Sequence, residues 1–220
     1  MSTFSTINYI SLIRSLAARL RSESDYLCQL DGEVGDGDHG TTMAQGFNAV
    51  VTAITKVENR DTGFSQLLEL SAKAFLDEVG STMGPLYTTA FINASLLFGE
   101  QKEIPLRDIA LLIPAMSSGI ADKGGAKVGD KTMMDVWIPV SYTIQDRYNK
   151  NLTINEILND IGSIAHHAAD ATKSMIALKG RAARLGERSL GHIDPGAASA
   201  AMIIEVFSHS VLNILLTNNK

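Results

Sequence analysis

Cysteine is nearly absent: Cys28 stands alone, so no disulfide can form within the chain, and a reducing cytoplasm is the expected compartment. An excess of positive charge is also missing. Nineteen Lys and Arg are outnumbered by 24 Asp and Glu, for a net charge of −5. That argues against a nucleic-acid partner, whose binding face is usually basic. It leaves a nucleotide open, because a metal ion can bridge carboxylates to phosphates. Met1 to Asn8 holds no basic stretch ahead of an apolar run, so no signal peptide is expected. No apolar run approaches the ~18 residues needed to cross a bilayer, so no membrane contact is expected. What the chain does have is 220 residues, 45% of them hydrophobic, enough for a sizeable core. No shift of composition and no internal repeat marks a boundary, and residues 1–220 are expected to form a single domain.

The hydrophobic spacing is helical nearly everywhere. Ile10, Ile13, Ala17 and Leu20 step by three and four, as do Met43, Phe47, Val50, Val51, Ile54 and Val57. Similar stripes run through Leu67–Val79, Leu86–Leu97 and Val136–Ile144. Ile109, Leu112 and Met116 form another, and Pro114 is expected to kink or shorten it. Ile154 to Ala168 is the clearest single helix, and Ala201 to Leu216 suits a buried final one. These periods are not the alternation of strands. The sequence predicts an all-α fold of about eight helices with no sheet.

Glycine concentrates in four connections: Asp31–Thr42, Gly80–Pro85, Lys123–Thr132 and Gly180–Gly196. Each glycine within a helix costs about 1 kcal/mol relative to alanine, so glycine-rich connections on a helical scaffold point to loops that approach a ligand closely. The first is the most informative. In Asp31-Gly32-Glu33-Val34-Gly35-Asp36-Gly37-Asp38-His39-Gly40, three aspartates stand at i, i+5 and i+7, with glycines that let the backbone fold back. Converging carboxylates repel unless a cation neutralises them. Magnesium takes oxygen ligands and is commonly held by a few carboxylates together with phosphates. A solvated acidic turn with Asp38 as a helix cap is the plainer reading. A calcium hand fails on register: with Asp31 first its required glycine would fall on Asp36, and with Asp36 first its last glutamate would fall on Phe47. Cys28 and His39 alone make no convincing zinc set. The N–H groups of Gly40, Thr41 and Thr42, at the next helix start, suit an anion.

The other loops extend this picture. Gly80-Ser81-Thr82-Met83-Gly84-Pro85 brings hydroxyls and free amides to a helix start. Gly124 to Thr132 superficially resembles a phosphate-binding P-loop, but Asp130 interrupts the pattern before Lys131 and no strand precedes it. Lys179 to Gly196 mixes base, glycine and acid. It reads either as an exposed basic loop or as a lid whose arginines meet phosphate oxygens.

Taken in order, these segments resemble the nucleotide-binding L subunits of bacterial dihydroxyacetone kinases. The matching residues are Leu30-Asp31, Gly35 to Gly40, Gly84-Pro85-Leu86, Gly129 to Met133, Asp135-Val136-Trp137, Lys179 to Ala182, Leu185 to Ser189, Gly191-His192 and Asp194 to Ala197. They span nearly the whole chain. The resemblance implies an antiparallel barrel of eight helices, with a nucleotide site at one end under a capping loop. It implies that Asp31, Asp36 and Asp38 hold two magnesium ions, and that ADP or ATP meets His39, Gly40, Thr41, Thr42, Thr82, Met83, Gly124, Met133, Arg181, Asp194, Pro195 and Gly196. Arg181 would be catalytic, offsetting charge on the transferred group. The implied partners are a K subunit that binds the sugar covalently and a phosphotransferase-system carrier that rephosphorylates ADP. The chain departs from the family at Met83, where serine is usual. A kinase for another small sugar such as a tetrulose, a regulatory nucleotide-binding module and a helical metal-binding protein are the alternatives.

Overall fold

The expected helices form because apolar stripes at three- and four-residue spacing pack against one another. The computed structural model describes residues 2–58 and 61–218. Helix α1 (Thr6–Ser22) opens on a reciprocal cap between Ser5 and Asn8. It is followed by α2 (Ser24–Val34), α3 (His39–Thr55), α4 (Phe64–Glu78) and α5 (Met83–Phe98). Then come α6 (Leu112–Gly124), α7 (Met134–Asn149), α8 (Ile154–Leu158), α9 (Ile161–Ala171) and α10 (Pro195–Asn218).

Eight of these close a ring. Going round it, α1 packs on α3, α3 on α4, α4 on α5, α5 on α6, α6 on α7, α7 on α9, α9 on α10, and α10 back on α1. Short connections, such as residues 79–82 between α4 and α5, return the chain alongside itself. The interior is filled by aromatic side chains: Phe47 meets Phe75 edge-on at 5.5 Å, Tyr87 lies 5.2 Å from Phe75, and Trp137 is fully buried. Helices α2 and α8 stand outside the ring, and α2 lies against α3, α10 and α1 at the end where the candidate site forms.

Five details differ from the sequence-based reading or sharpen it. Helix α2 has no counterpart in it, and it takes in Asp31 to Val34 of the first glycine-rich connection. A small sheet exists: β1 (Thr3–Ser5) pairs antiparallel with β2 (Glu103–Pro105), with Phe4 opposite Ile104. Strands this short carry no readable alternation, and only the burial of both Phe4 and Ile104 explains the pairing. Pro114 shortens its helix rather than kinking it, since Asp108–Leu111 form a separate 3-10 turn and α6 begins at Leu112. It falls in the first turn of α6, where a missing N–H leaves no bond unmade. The stretch from Ile154 to Ala168 is two helices, because Asp160 takes a left-handed conformation, φ 59°. Arg147 stabilises the break by donating to the carbonyls of Ile157 and Asn159 at 3.2 and 2.7 Å. Finally, Pro195–Thr217 is long and apolar enough to cross a membrane, with mean hydropathy 1.6, although Glu205 and several hydroxyls interrupt its apolar run. Its apolar face packs on α9, α1, α2 and α7.

Candidate functional site

At one end of the ring a cavity of about 280 Å³ opens. The first residues of α3, α5, α7 and α10, namely His39, Met83, Met134 and Pro195, all line it. Four helix N-termini thus border one space with their positive dipole ends, which favours an anion there. One wall is apolar, made by Leu86, Ile120, Ala126 and Met133.

The acidic loop folds as its glycines allow. Asp31 lies in the last turn of α2, and its carbonyl accepts from Gly35 N at 2.5 Å. Gly37 turns the chain at φ +80°, a conformation that a side chain would strain. Gly40 lets α3 start directly against α2, since a Cβ there would collide with the Ser24 carbonyl. Asp31, Asp36 and Asp38 consequently bring carboxylate oxygens within 4.8 Å of one another. Asp31 is buried and the other two are exposed to the cavity side. The three are not equivalent. Asp31 Oδ2 accepts from the N–H groups of Asp38 at 2.9 Å and His39 at 3.2 Å, so it also organises the start of α3. Asp36 forms an ion pair with Arg181, which reaches over from the 175–192 loop.

Behind the carboxylates lies a polar layer. His39 Nε2 is 2.9 Å from Ser199 Oγ, and that hydroxyl donates to the Gly196 carbonyl at 3.0 Å. The hydroxyl has one hydrogen, so Nε2 is the donor, as it is in the neutral Nε2–H tautomer. Burial agrees, pushing the His39 pKa down to about 4, against a partial opposing pull from Asp31. Asp194 caps α10, accepting from Ala197 N at 2.7 Å. Burial drives its pKa up to about 7, with Asp135 and Asp31 adding repulsion and Ala197 N–H and Lys131 opposing. Asp135 Oδ1 and Oδ2 accept from Gly129 N at 2.5 Å and Thr132 N at 2.7 Å, shaping the turn before α7.

The DAK2 domain family matches residues 33–209. The chain belongs to the DAK2 domain family. It is 38% identical over 187 residues to the PEP-dependent dihydroxyacetone kinase, ADP-binding subunit DhaL of Escherichia coli K12, covering 85% of this chain and 88% of the relative. An L-erythrulose kinase of Pectobacterium atrosepticum is 34% identical over 85% of this chain, which spans 32% of that larger protein. Among solved structures, the dihydroxyacetone kinase of C. freundii in complex with AMP-PNP and Mg2+ superposes with a TM-score of 0.68 at 21% identity. That match covers 96% of this chain and 35% of the other. It shows the shared fold.

Most of the residues singled out in the sequence of this DAK2 domain meet around the cavity. Asp31, Asp36, Asp38, His39, Thr42, Thr82, Met83, Gly124, Met133, Arg181, Asp194, Pro195 and Gly196 all line it. Gly40 and Thr41 are not among the lining residues. Gly40 is spent on packing against α2, and Thr41 is exposed with its hydroxyl 3.5 Å from Cys28 Sγ. Lys131, Leu86, Ile120 and Ala126, which carry no role from the sequence alone, also line it, beside Ser81, one of the two hydroxyls expected at the α5 start. Ser81 Oγ accepts from Met83 N at 3.3 Å, so it serves the start of α5. The apolar wall could have been suspected from Leu86, which stands in a matching motif.

The polar layer of the DAK2 domain makes a pH prediction. Asp194 has a folded pKa near 7, above its ordinary 3.8, so the folded state holds a proton that the unfolded chain lacks between those values. Its contribution is fully present below pH ~4 and lost as pH rises through ~7. Asp194→Asn should therefore be more stable than wild type at pH 8, by up to about 4 kcal/mol, with the gap closing at pH 4. His39 runs the other way, and its contribution is lost as pH falls from about 6.5 toward 4. In Asp194→Asn that acid loss should be unmasked. Urea unfolding with EDTA at pH 4 to 8 measures both, and an equal gap at pH 4 and pH 8 contradicts the assignment.

Proposed function

We propose that this chain, residues 1–220 acting as one domain, is the nucleotide-binding subunit of a two-component dihydroxyacetone-type kinase. The observation that carries this reading is the convergence of three carboxylates within 4.8 Å beside four helix N-termini and an apolar wall. Phosphates meet the carboxylates through a cation and the helix N-termini directly, and an adenine ring suits the apolar wall. The donor set fits magnesium: hard, anionic oxygens on a glycine loop, one already fixed by backbone hydrogen bonds. Asp31, Asp36 and Asp38 would hold two magnesium ions, which when bound supply the positive charge that keeps the phosphates in place. His39, Gly40, Thr41 and Thr42 at the α3 start, Thr82 and Met83 at the α5 start, Gly124, Met133, and Asp194, Pro195 and Gly196 at the α10 start would surround ADP or ATP. Arg181 would close over the phosphates.

The sugar belongs to a separate K subunit in this reading, because the cavity is taken up by nucleotide-type features. The kinship with a relative described as PEP-dependent and ADP-binding favours ADP as a resident coenzyme, rephosphorylated by a phosphotransferase-system carrier in the cytoplasm. Kinship with an L-erythrulose kinase makes a tetrulose the second candidate substrate. Protein purified without added nucleotide and then denatured should release near-stoichiometric ADP on an anion-exchange column. The chain alone should phosphorylate neither sugar, and addition of the K subunit should restore transfer. An empty site, with repeated turnover from ATP once the K subunit is added, would overturn the coenzyme reading. Robust phosphorylation by the chain alone would overturn the division of labour.

A further inference from the structure

Lys131 is the least expected residue at this end of the barrel. Its side chain is buried, 1% exposed, and its backbone is left-handed at φ 58°, a conformation uncommon outside glycine. Asp135 holds the flanking N–H groups of Gly129 and Thr132 and so maintains the turn that aims the side chain inward. The neighbouring residues look like a phosphate-binding loop, yet the ammonium is engaged elsewhere. Nζ donates toward four main-chain carbonyls: Thr172 at 2.9 Å, Met175 at 3.2 Å, Ser189 at 2.6 Å and His192 at 2.7 Å. Three N–H bonds serve four acceptors, the longest contact being the one to Met175.

The identity of those carbonyls is informative. Thr172 and Met175 stand where the chain leaves α9, and Ser189 and His192 stand where it returns to α10. Both ends of the loop that carries Arg181 are thus gathered on one cation. Two weaker ties accompany it, Gly191 N to Lys173 O at 2.8 Å and Ala177 N to Ser189 Oγ at 2.9 Å. Above this neck the loop has its own small apolar contact, in which Ala177, Ala182 and Leu185 pack on Val34 of α2. Loops whose ends are close and whose side chains pack on themselves behave as compact units. A buried ammonium is costly unless its hydrogen-bonding is met, so four carbonyls around Nζ define a specific geometry.

We propose that Lys131 is a positioning residue whose ammonium closes the neck of the 175–192 loop and so holds Arg181 over the Asp31–Asp36–Asp38 cluster. The consequence for nucleotide rests on the reading under Proposed function; the closure of the neck does not. Lysine suits the task because an unbranched stem reaches the neck and a terminal ammonium donates in three directions. Methionine has similar reach and no donor. Arginine keeps charge and donors in a planar fork.

The test uses the full chain without nucleotide, digested by trypsin, with cleavage after Lys179, Arg181, Arg184 and Arg188 followed by mass spectrometry. Lys131→Met should speed cleavage within the loop by about tenfold or more, as expected when a local opening becomes easier. Cleavage after Lys73 and Lys150 and the far-UV circular dichroism should stay at wild-type values. Lys131→Arg should recover part of the protection. With MgADP as probe, dissociation should be faster in Lys131→Met, and in an Arg181→Ala background the same change should add little. Should Lys131→Met fail to fold, Lys131→Gln, neutral with two donors, takes its place with the same expectations. Wild-type loop cleavage in a folded Lys131→Met or Lys131→Gln overturns the proposal, and so does a rise equal at all sites that Lys131→Arg leaves unrepaired. Loop-selective cleavage supports the neck clamp even if wild type binds no MgADP, in which case the nucleotide reading is what fails.

Discussion

Replacing Asp36 or Asp38 by alanine is expected to abolish magnesium-dependent ADP binding while leaving the helices intact. Both side chains are exposed and sit between α2 and α3, so neither supports the core. Each offers oxygens to the same small region, and magnesium has few other protein ligands at such sites. Loss of residues that merely support a metal ligand weakens affinity about 10- to 100-fold, and loss of a ligand should cost at least the upper end of that range. Asp31→Ala should behave differently. It removes a ligand and also the acceptor for the N–H groups of Asp38 and His39, a capping role worth about 1 kcal/mol. Thermal midpoints should therefore be near wild type for Asp36→Ala and Asp38→Ala and lower for Asp31→Ala. Titration calorimetry with MgADP checks the binding arm, and wild-type affinity in the first two variants would sink the metal assignment.

Arg181→Ala is expected to lower phosphoryl transfer in the reconstituted two-subunit enzyme by about a thousandfold or more, the range found where an arginine stabilises a transferring phosphoryl group. The loop brings the guanidinium to the carboxylate cluster, where it pairs with Asp36. A transferring phosphoryl group carries its charge on oxygens that a planar guanidinium can meet in a bidentate way. Arg181→Lys should recover little, because a point charge lacks that fork. The affinity for MgADP should fall far less than the rate, since the carboxylates and helix starts remain. Steady-state rates alongside calorimetry separate the two effects. Equal losses in rate and in affinity would reduce Arg181 to a binding residue.

Most of the helices were legible because each is written in local spacing: three- and four-residue steps bury one face whatever lies opposite; α2, which carries Asp31, was not. The acidic loop was legible for the same reason, its aspartates being five and two residues apart with glycines that let the backbone fold back. Capping pairs such as Thr153 with Glu156 are equally local. Other features depend on partners distant in sequence. The β1–β2 pair joins residues about a hundred apart and owes its existence to the burial of Phe4 against the ring. The break at Asp160 needs Arg147 from α7 to satisfy the carbonyls it exposes.

The candidate site divides along the same line. Sequence by itself determined which side chains could carry chemistry: carboxylates on a flexible loop, an arginine in a basic glycine-rich segment, hydroxyls before a helix. Only the tertiary structure decided how they are used. Closing the helices into a ring sets four helix N-termini around one cavity, buries His39 so that it stays neutral, and raises the pKa of Asp194 by withdrawing it from water. The same closure separates two basic residues that composition treats alike. Arg181 is carried on a loop and meets the carboxylates, whereas Lys131 is turned inward, where the carbonyls of a loop more than forty residues away replace the water its ammonium has lost.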